Sequence, residues 1–215
     1  MNFVDFFAGI GGIRLGLEQA GHKCVGFCEF DKYARTAYKA MYDTEGEWES
    51  RDVRTVRTYD IPDADLWCFG FPCQDISVMS IRGQKLQKQI DVAPTIDTGC
   101  RDNLTRKQTC CAVLTPDREE KRQNGRRIKE PGEPSFTLTA QDRHGVALLD
   151  ENIRIRRLTP RECWRLQGFP DEYFDKAKAA GISDTQLYKQ AGNGVTVNVA
   201  RAIGERLKEV EEHDE

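Results

Sequence analysis

The chain lacks several things that would fix its class at once. No apolar stretch approaches the length that crosses a bilayer, and the amino-terminal Met-Asn-Phe-Val-Asp has no basic start of a signal peptide. Both absences predict a cytoplasmic protein with no membrane partner. Histidine is scarce, with only His22, His144 and His213, and no set of four Cys or His has zinc-site spacing, so no metal is expected. The eight cysteines, including the adjacent Cys110 and Cys111, are spaced too irregularly for a disulfide framework and read as reduced thiols. A strong excess of one sign of charge is missing too. A net charge of −3 argues against a protein that coats polyanions generically. Charge is unevenly distributed, however. From Arg101 to Lys129 nine Lys or Arg face four Asp or Glu, a segment able to contact phosphates or simply to solvate a loop.

What is present reads as an alternation of strand and helix. Phe3 to Ala8 is a short apolar run of the kind that forms a buried parallel strand, followed by Gly9-Ile10-Gly11-Gly12. Ile13, Leu17 and Ala20 recur at helical spacing up to Gly21, and Lys23 to Phe27 forms a second strand closing on Glu29. Asp31 caps a second helix with Ala34, Ala37, Tyr38 and Met41 on one face, and Leu66 to Phe69 is a third strand. This is the pattern of an open parallel sheet with helices on its faces. Residues 78 to 150 have no sustained helical period and hold only short strand-like pieces, at Cys111 to Leu114, Phe136 to Thr139 and Val146 to Leu149. Order returns at the capping box Thr159-Pro160-Arg161-Glu162, with Gly168 as a C-terminal cap. A last helix, from about Thr196 to Val210, carries Val199, Ile203, Leu207 and Val210 on one stripe, as a face turned to a core would.

Two segments invite chemistry. Gly70-Phe71-Pro72-Cys73-Gln74-Asp75-Ile76-Ser77 delivers a thiol to a turn at a strand's carboxyl end, a placement suited to a nucleophile, although most free cysteines are buried hydrophobes. The glycine turn at residues 9 to 12 lets backbone N–H groups approach a ligand, and Glu29 is placed to bond ribose hydroxyls. A nicotinamide fingerprint fails in register because Arg14 stands where its third glycine belongs. A tight turn with no ligand is the plainer alternative.

Five blocks occur in order: residues 5–12 (DFFAGIGG), 70–74 (GFPCQ), 157–163 (RLTPREC), 166–170 (LQGFP) and 190–195 (QAGNGV). Together they resemble the signature blocks of the DNA (cytosine-5)-methyltransferases. The resemblance implies an α/β fold, namely a truncated Rossmann-like S-adenosylmethionine-dependent methyltransferase sheet with a small irregular β-rich recognition lobe. Residues 1–85 with 190–210 would form the cofactor-binding and catalytic domain, 86–189 the DNA-recognition lobe and 211–215 an acidic tail. S-adenosylmethionine is the implied cofactor, held at Phe7, Ala8, Gly9, Gly11 and Gly12, with Glu29 on the ribose. Asp52 and Val53 fall where the family reads the adenine edge, and Asn193 and Val195 where it closes over the methionine portion. Cys73 is the implied nucleophile, with Pro72 shaping its turn, acting on a base flipped out of double-stranded DNA. Gln74, Ser77, Arg101, Arg106, Lys107, Arg126 and Arg127 are the candidate DNA contacts. A bacterial or phage-encoded protein of restriction–modification type is implied.

The pattern departs from the family in one place. A Glu-Asn-Val block and a Gln-x-Arg-x-Arg block normally follow the Pro-Cys block, with further strands. Here only sixteen residues, Val78 to Ala93, are available, enough for one crossover. Glu151-Asn152-Ile153 imitates the first block on the wrong side of the lobe, and Arg154 and Arg156 lack the preceding glutamine. The sequence thus looks internally deleted. Its alternatives are an active methyltransferase, or a relic or half-enzyme that binds cofactor or DNA and awaits a complementing methyltransferase fragment.

Overall fold

The computed structural model describes residues 1–70, 109–116, 126–140, 143–149 and 154–213. Pro72, Cys73, Gln74, Ser77, Arg101, Arg106 and Lys107 lie outside them, as do the Glu151-Asn152-Ile153 imitation and the end of the acidic tail. The chain divides into two compact units, residues 1–92 with 195–215 and residues 93–194.

The first unit is a Rossmann-like α/β sheet. Its strands are β1 (Asn2–Phe6), β2 (Lys23–Cys28), β3 (Trp48–Ser50) and β4 (Leu66–Phe69), all parallel, in the order β3-β2-β1-β4. Phe3, Val4, Phe27 and Cys28 are buried because an inner parallel strand is covered on both faces. Phe3 and Cys24 pack under Leu17 on one face, whereas Val4, Phe6 and Cys28 form a second cluster with Val25, Trp48, Ile61 and Ala64. Helix α1 (Gly12–Gln19) follows β1 directly, and α2 (Lys32–Met41) follows β2. The Asp31 carboxylate accepts from the Tyr33 and Ala34 N–H groups, as an N-cap should, and the expected face of Ala34, Ala37, Tyr38 and Met41 is the buried one. Tyr38 stacks on Phe27 at 4.3 Å between ring centroids. Strand β3, which sequence periodicity does not announce, is only three residues long and owes its place to pairing with β2.

Strands β5 (Thr109–Leu114), β6 (His144–Leu149) and β7 (Arg154–Arg157) form the antiparallel sheet of the second unit. Phe136 to Thr139, expected as a strand, belongs to no ladder among the described residues. Three helices follow: α3 (Pro160–Leu166), α4 (Asp171–Ala179) and α5 (Asp184–Asn193). The capping box forms as the sequence predicts, with Thr159 and Glu162 bonded reciprocally. Trp164 is fully buried against Phe169 and Phe174, and its indole N–H donates to the Leu187 carbonyl at 3.0 Å. The Gln167 amide donates to the Ala191 carbonyl at 2.6 Å. Three of the sequence blocks therefore meet here by packing on each other.

The last helix, α6 (Val197–His213), belongs to the first unit and lies along α1. Its contact with α1 is made by small residues, which differs from the expected use of its apolar stripe. A Cβ on Gly16 would stand 2.5 Å from the Ala200 Cβ and 2.6 Å from the Val197 carbonyl oxygen. One on Gly204 would stand 2.8 Å from the Ala20 Cβ. The backbones approach because side chains there are minimal, and the bulky stripe is left on the other side. The helix also runs through His213, into what was expected to be a tail.

Candidate functional site

The registers of the parallel sheet bring four strand ends level. Phe6 pairs with Cys28 and with Phe69, and Cys28 pairs with Ser50. The next residues of the four strands, Phe7, Glu29, Arg51 and Gly70, consequently emerge at one edge. The strand order reverses at β1, which has β2 on one side and β4 on the other. In open α/β sheets such a switch point, at the carboxyl ends, is where ligands bind.

The turn after β1 is held tightly. Phe7 has φ 54°, a left-handed conformation that a bulky residue adopts only when its surroundings enforce it. The enforcement is visible. The Ala8 N–H donates to the Cys28 carbonyl at 3.1 Å, and the Gly11 N–H to the Ala8 carbonyl at 2.8 Å. Glu29 grips the turn from the next strand. One carboxylate oxygen accepts from the Gly9 N–H and the other from the Asp31 N–H, both at 2.7 Å. Each oxygen keeps a free lone-pair direction, so the carboxylate can still accept ligand hydroxyls.

Two glycines of the turn are explained by neighbours in the protein. The Tyr42 ring lies against Gly11, whose φ is 75°, and its hydroxyl donates to the Gly11 carbonyl at 2.8 Å. A Cβ on Gly12 would fall 2.0 Å from the Val195 carbonyl oxygen. The Val195 side chain in turn stands over Gly70, 3.9 Å from where a Cβ there would be. Residues 12, 70 and 195 are thus assembled at the end of the sheet from three distant stretches. Asn193, expected beside Val195, is the last residue of α5 in the second unit.

At the end of β3, Asp52 caps a short 3-10 turn that starts at Val53, and its carboxylate chelates the Arg54 guanidinium. Those bonds pull its pKa down to about 2. Phe30, which the sequence reading passes over, stands exposed immediately after Glu29, with Arg51 over its ring at 5.4 Å. Its residue type and its position one place beyond a strand-terminal acid were the available signal. Phe7 is exposed as well. The edge therefore offers two aromatic faces around one carboxylate, a combination suited to a nucleoside.

Beneath the turn lies a buried polar layer that the sequence does not reveal. Arg14 is forked onto Glu47, with both contacts at 2.7 Å, and also bonds Glu18. Asp5 is fully buried, and burial pushes its pKa up to about 7 against the opposing pull of Arg14. Burial likewise raises the thiols of Cys24, Cys68 and Cys163 to about 12, and those of Cys28 and Cys111 upward. None of these five is a thiolate near neutral pH. Of the two basic candidates within the described residues, Arg126 pairs with Glu133 and Glu130, and Arg127 donates to the Leu114 and Thr115 carbonyls. No group of His, Cys, Asp and Glu among the described residues could hold a metal ion, and no helix among them is long and apolar enough to cross a membrane.

A family model described as C-5 cytosine-specific DNA methylase matches residues 1–98 and 95–209. The orphan methyltransferase M.SPBetaI of Bacillus phage SPbeta is 64% identical over 97 residues, which are 45% of this chain but only 22% of that relative. The type II methyltransferase M.DsaV of Dactylococcopsis salina is 26% identical over 308 aligned residues, taking in 96% of this chain and 86% of the relative. The crystal structure of the S. pombe Dnmt2 methyltransferase shares the fold, with a TM-score of 0.57 at 14% identity over 98% of this chain and 99% of that one.

Proposed function

The chain belongs to the C-5 cytosine-specific DNA methylases, and from that membership we propose that it transfers a methyl group from S-adenosylmethionine to carbon 5 of cytosine in double-stranded DNA. The observation that carries the reading is the turn at the switch point of the sheet, clamped by Glu29 and flanked by two exposed aromatics. When bound, S-adenosylmethionine supplies an electrophilic methyl group on a sulfonium. Glu29 accepts its ribose hydroxyls, Phe7 and Phe30 offer faces for the adenine, and Asp52 and Val53 border the base. Ala8, Gly9, Gly11 and Gly12 give the backbone access, with Val195 and Asn193 contributing from the carboxyl-terminal side.

Cys73, four residues beyond Phe69 at the end of β4, is the nucleophile. Its thiolate adds to carbon 6 of the flipped cytosine, which turns carbon 5 into an enamine-like nucleophile. Carbon 5 would then take the methyl from the bound sulfonium, leaving the thioether S-adenosylhomocysteine, and loss of the carbon-5 proton to a base would expel the Cys73 thiolate and restore the ring. The raised thiols of Cys24, Cys28, Cys68, Cys111 and Cys163 disfavour those five as nucleophiles. Pro72 shapes the turn that presents the sulfur, and Gln74 and Ser77 contact the DNA beside it. Arg101, Arg106, Lys107, Arg126 and Arg127 supply phosphate contacts from the second unit, the last two by exchanging protein partners for phosphate.

A second reading is favoured by how the family model matches. Its two matched stretches meet at residues 95–98 of this chain, and the M.DsaV alignment is much longer than the chain itself. A stretch present in relatives has no counterpart here, which fits half of a split enzyme. One experiment separates the two readings: transfer of labelled methyl from S-adenosylmethionine to mixed-sequence DNA, with Cys73→Ser in parallel. The expected result is label on cytosine that disappears in the variant. Folded protein that binds the cofactor and transfers nothing would leave the half-enzyme reading.

A further inference from the structure

The glycine turn has few side chains with which to hold itself. Glycine loses more conformational freedom on folding than any other residue, so such a turn is ordered from outside. Glu29 accepts from the Gly9 N–H, and the Val195 carbonyl closes on Gly12. Tyr42, which directly follows α2 and is 7% exposed, adds a third hold. Its hydroxyl donates to the Gly11 carbonyl at 2.8 Å and reaches the Ile10 carbonyl at 3.3 Å. The Gly11 carbonyl also accepts from the Leu15 N–H at 2.8 Å, the first hydrogen bond of α1. Gly11 itself caps that helix with no side chain.

A carbonyl that accepts at both lone pairs has its peptide plane fixed, and the other polar group of this plane is the Gly12 N–H. That N–H belongs to the first turn of α1, where a helix has no acceptor of its own to offer. Tyr42 therefore sets the direction of a donor at the turn, although it is itself buried. The tyrosine is braced in its turn. The Arg14 guanidinium lies 4.6 Å over its ring, donates to the adjacent Asp43 carbonyl at 3.3 Å, and forks onto Glu47 at 2.7 Å. The two charged side chains are only 5% and 13% exposed, so solvent ions screen them little. We infer that Tyr42, braced by Arg14 and Glu47, is a positioning residue for the cofactor, its hydroxyl holding the Gly11–Gly12 peptide in the orientation that binding uses. This rests on the family reading above and adds a residue to that site. A peptide held in advance loses no freedom when the ligand arrives, and the difference appears as affinity.

The test uses the full chain, with S-adenosylmethionine titrated by calorimetry. Tyr42→Phe keeps the ring and removes only the hydroxyl. With wild-type circular dichroism, it should raise the dissociation constant by roughly three- to tenfold, the scale of one hydrogen bond. In the free variant the Gly12 amide should lose order, its NMR order parameter falling from about 0.85 toward 0.6. Glu47→Gln weakens the brace from outside the turn and should raise the constant as well. The double variant should fall short of the product of the two effects, because both act through one contact. A merely structural hydroxyl would lower the urea midpoint and leave the dissociation constant and the Gly12 amide alone. Tyr188→Phe is a control of that kind, since it removes a hydroxyl that donates to the Leu158 carbonyl at 2.7 Å within the second unit. An unchanged dissociation constant in folded Tyr42→Phe overturns the inference and leaves the family reading intact. Effects that multiply in full overturn the bracing by Glu47. If Tyr42→Phe loses its fold, Glu47→Gln decides by the same two readouts. A wild-type chain that binds no S-adenosylmethionine refutes the family reading, and this inference about the cofactor falls with it.

Discussion

One oxygen of the Asp5 carboxylate lies 3.5 Å from the Tyr38 hydroxyl that donates to it, and the other has no partner among the described residues. The side chain faces Arg14 and Glu18 from α1, Cys24 from β2, Glu29 just after it, Tyr38 from α2 and Cys68 from β4. Its folded pKa of about 7 stands well above the unfolded value of roughly 4. The unfolded chain therefore gives up this proton first, and ionisation favours unfolding across the interval. Stability from this group is full below about pH 4, declines as pH rises, and levels off above the folded pKa. Asp5→Asn is expected to abolish the decline and to leave the protein more stable at pH 8 by on the order of a few kcal/mol. Urea unfolding at pH 5 and pH 8 measures this, and equal pH dependence in both proteins would refute it. Asp5 also shows what residue types convey. Glu29 was legible at the turn because an acid directly follows the second strand, beside the Gly9 N–H from which it accepts. Asp5, Phe30 and Tyr42 were not, because what they face is decided by elements far along the chain.

The contact between α1 and α6 rests on how closely two backbones approach. Gly16→Ala places a methyl 2.5 Å from the Ala200 Cβ and 2.6 Å from the Arg201 nitrogen. The helices must separate, at a cost of roughly 1–3 kcal/mol. Chemical denaturation should show a lower midpoint with an unchanged slope; an unaltered midpoint would mean that the contact is looser than described. Elements differed in how readable they were for physical reasons. Helix α2 carried its own cap and its own buried face, and α3 its capping box, so both could be placed locally. Strand β3 has three residues and no alternation to detect, and α4 and α5 were passed over among short polar stretches. For α6 the apolar period was plain, but periodicity names a stripe without saying which side meets the protein.

The first unit is built from two stretches of chain that enclose the second in sequence. The returning stretch completes it. Val195 covers Gly12, α6 covers Gly16, and the His22 Nε2 meets the Gly204 carbonyl at 2.9 Å across 182 residues of sequence. A chain truncated after Gly194 should therefore lose amide hydrogen-exchange protection throughout α1 and β2, while α3 and α5 keep theirs. Protection retained in α1 would refute that dependence. The same 182-residue separation governs events on the ribosome. At about 5–20 residues per second, roughly 10–40 s pass between synthesis of the glycine turn and of the helix that seals it. Nascent protein spends that interval with an uncovered α1, so chaperone occupancy should be greatest then and should fall once α6 has emerged.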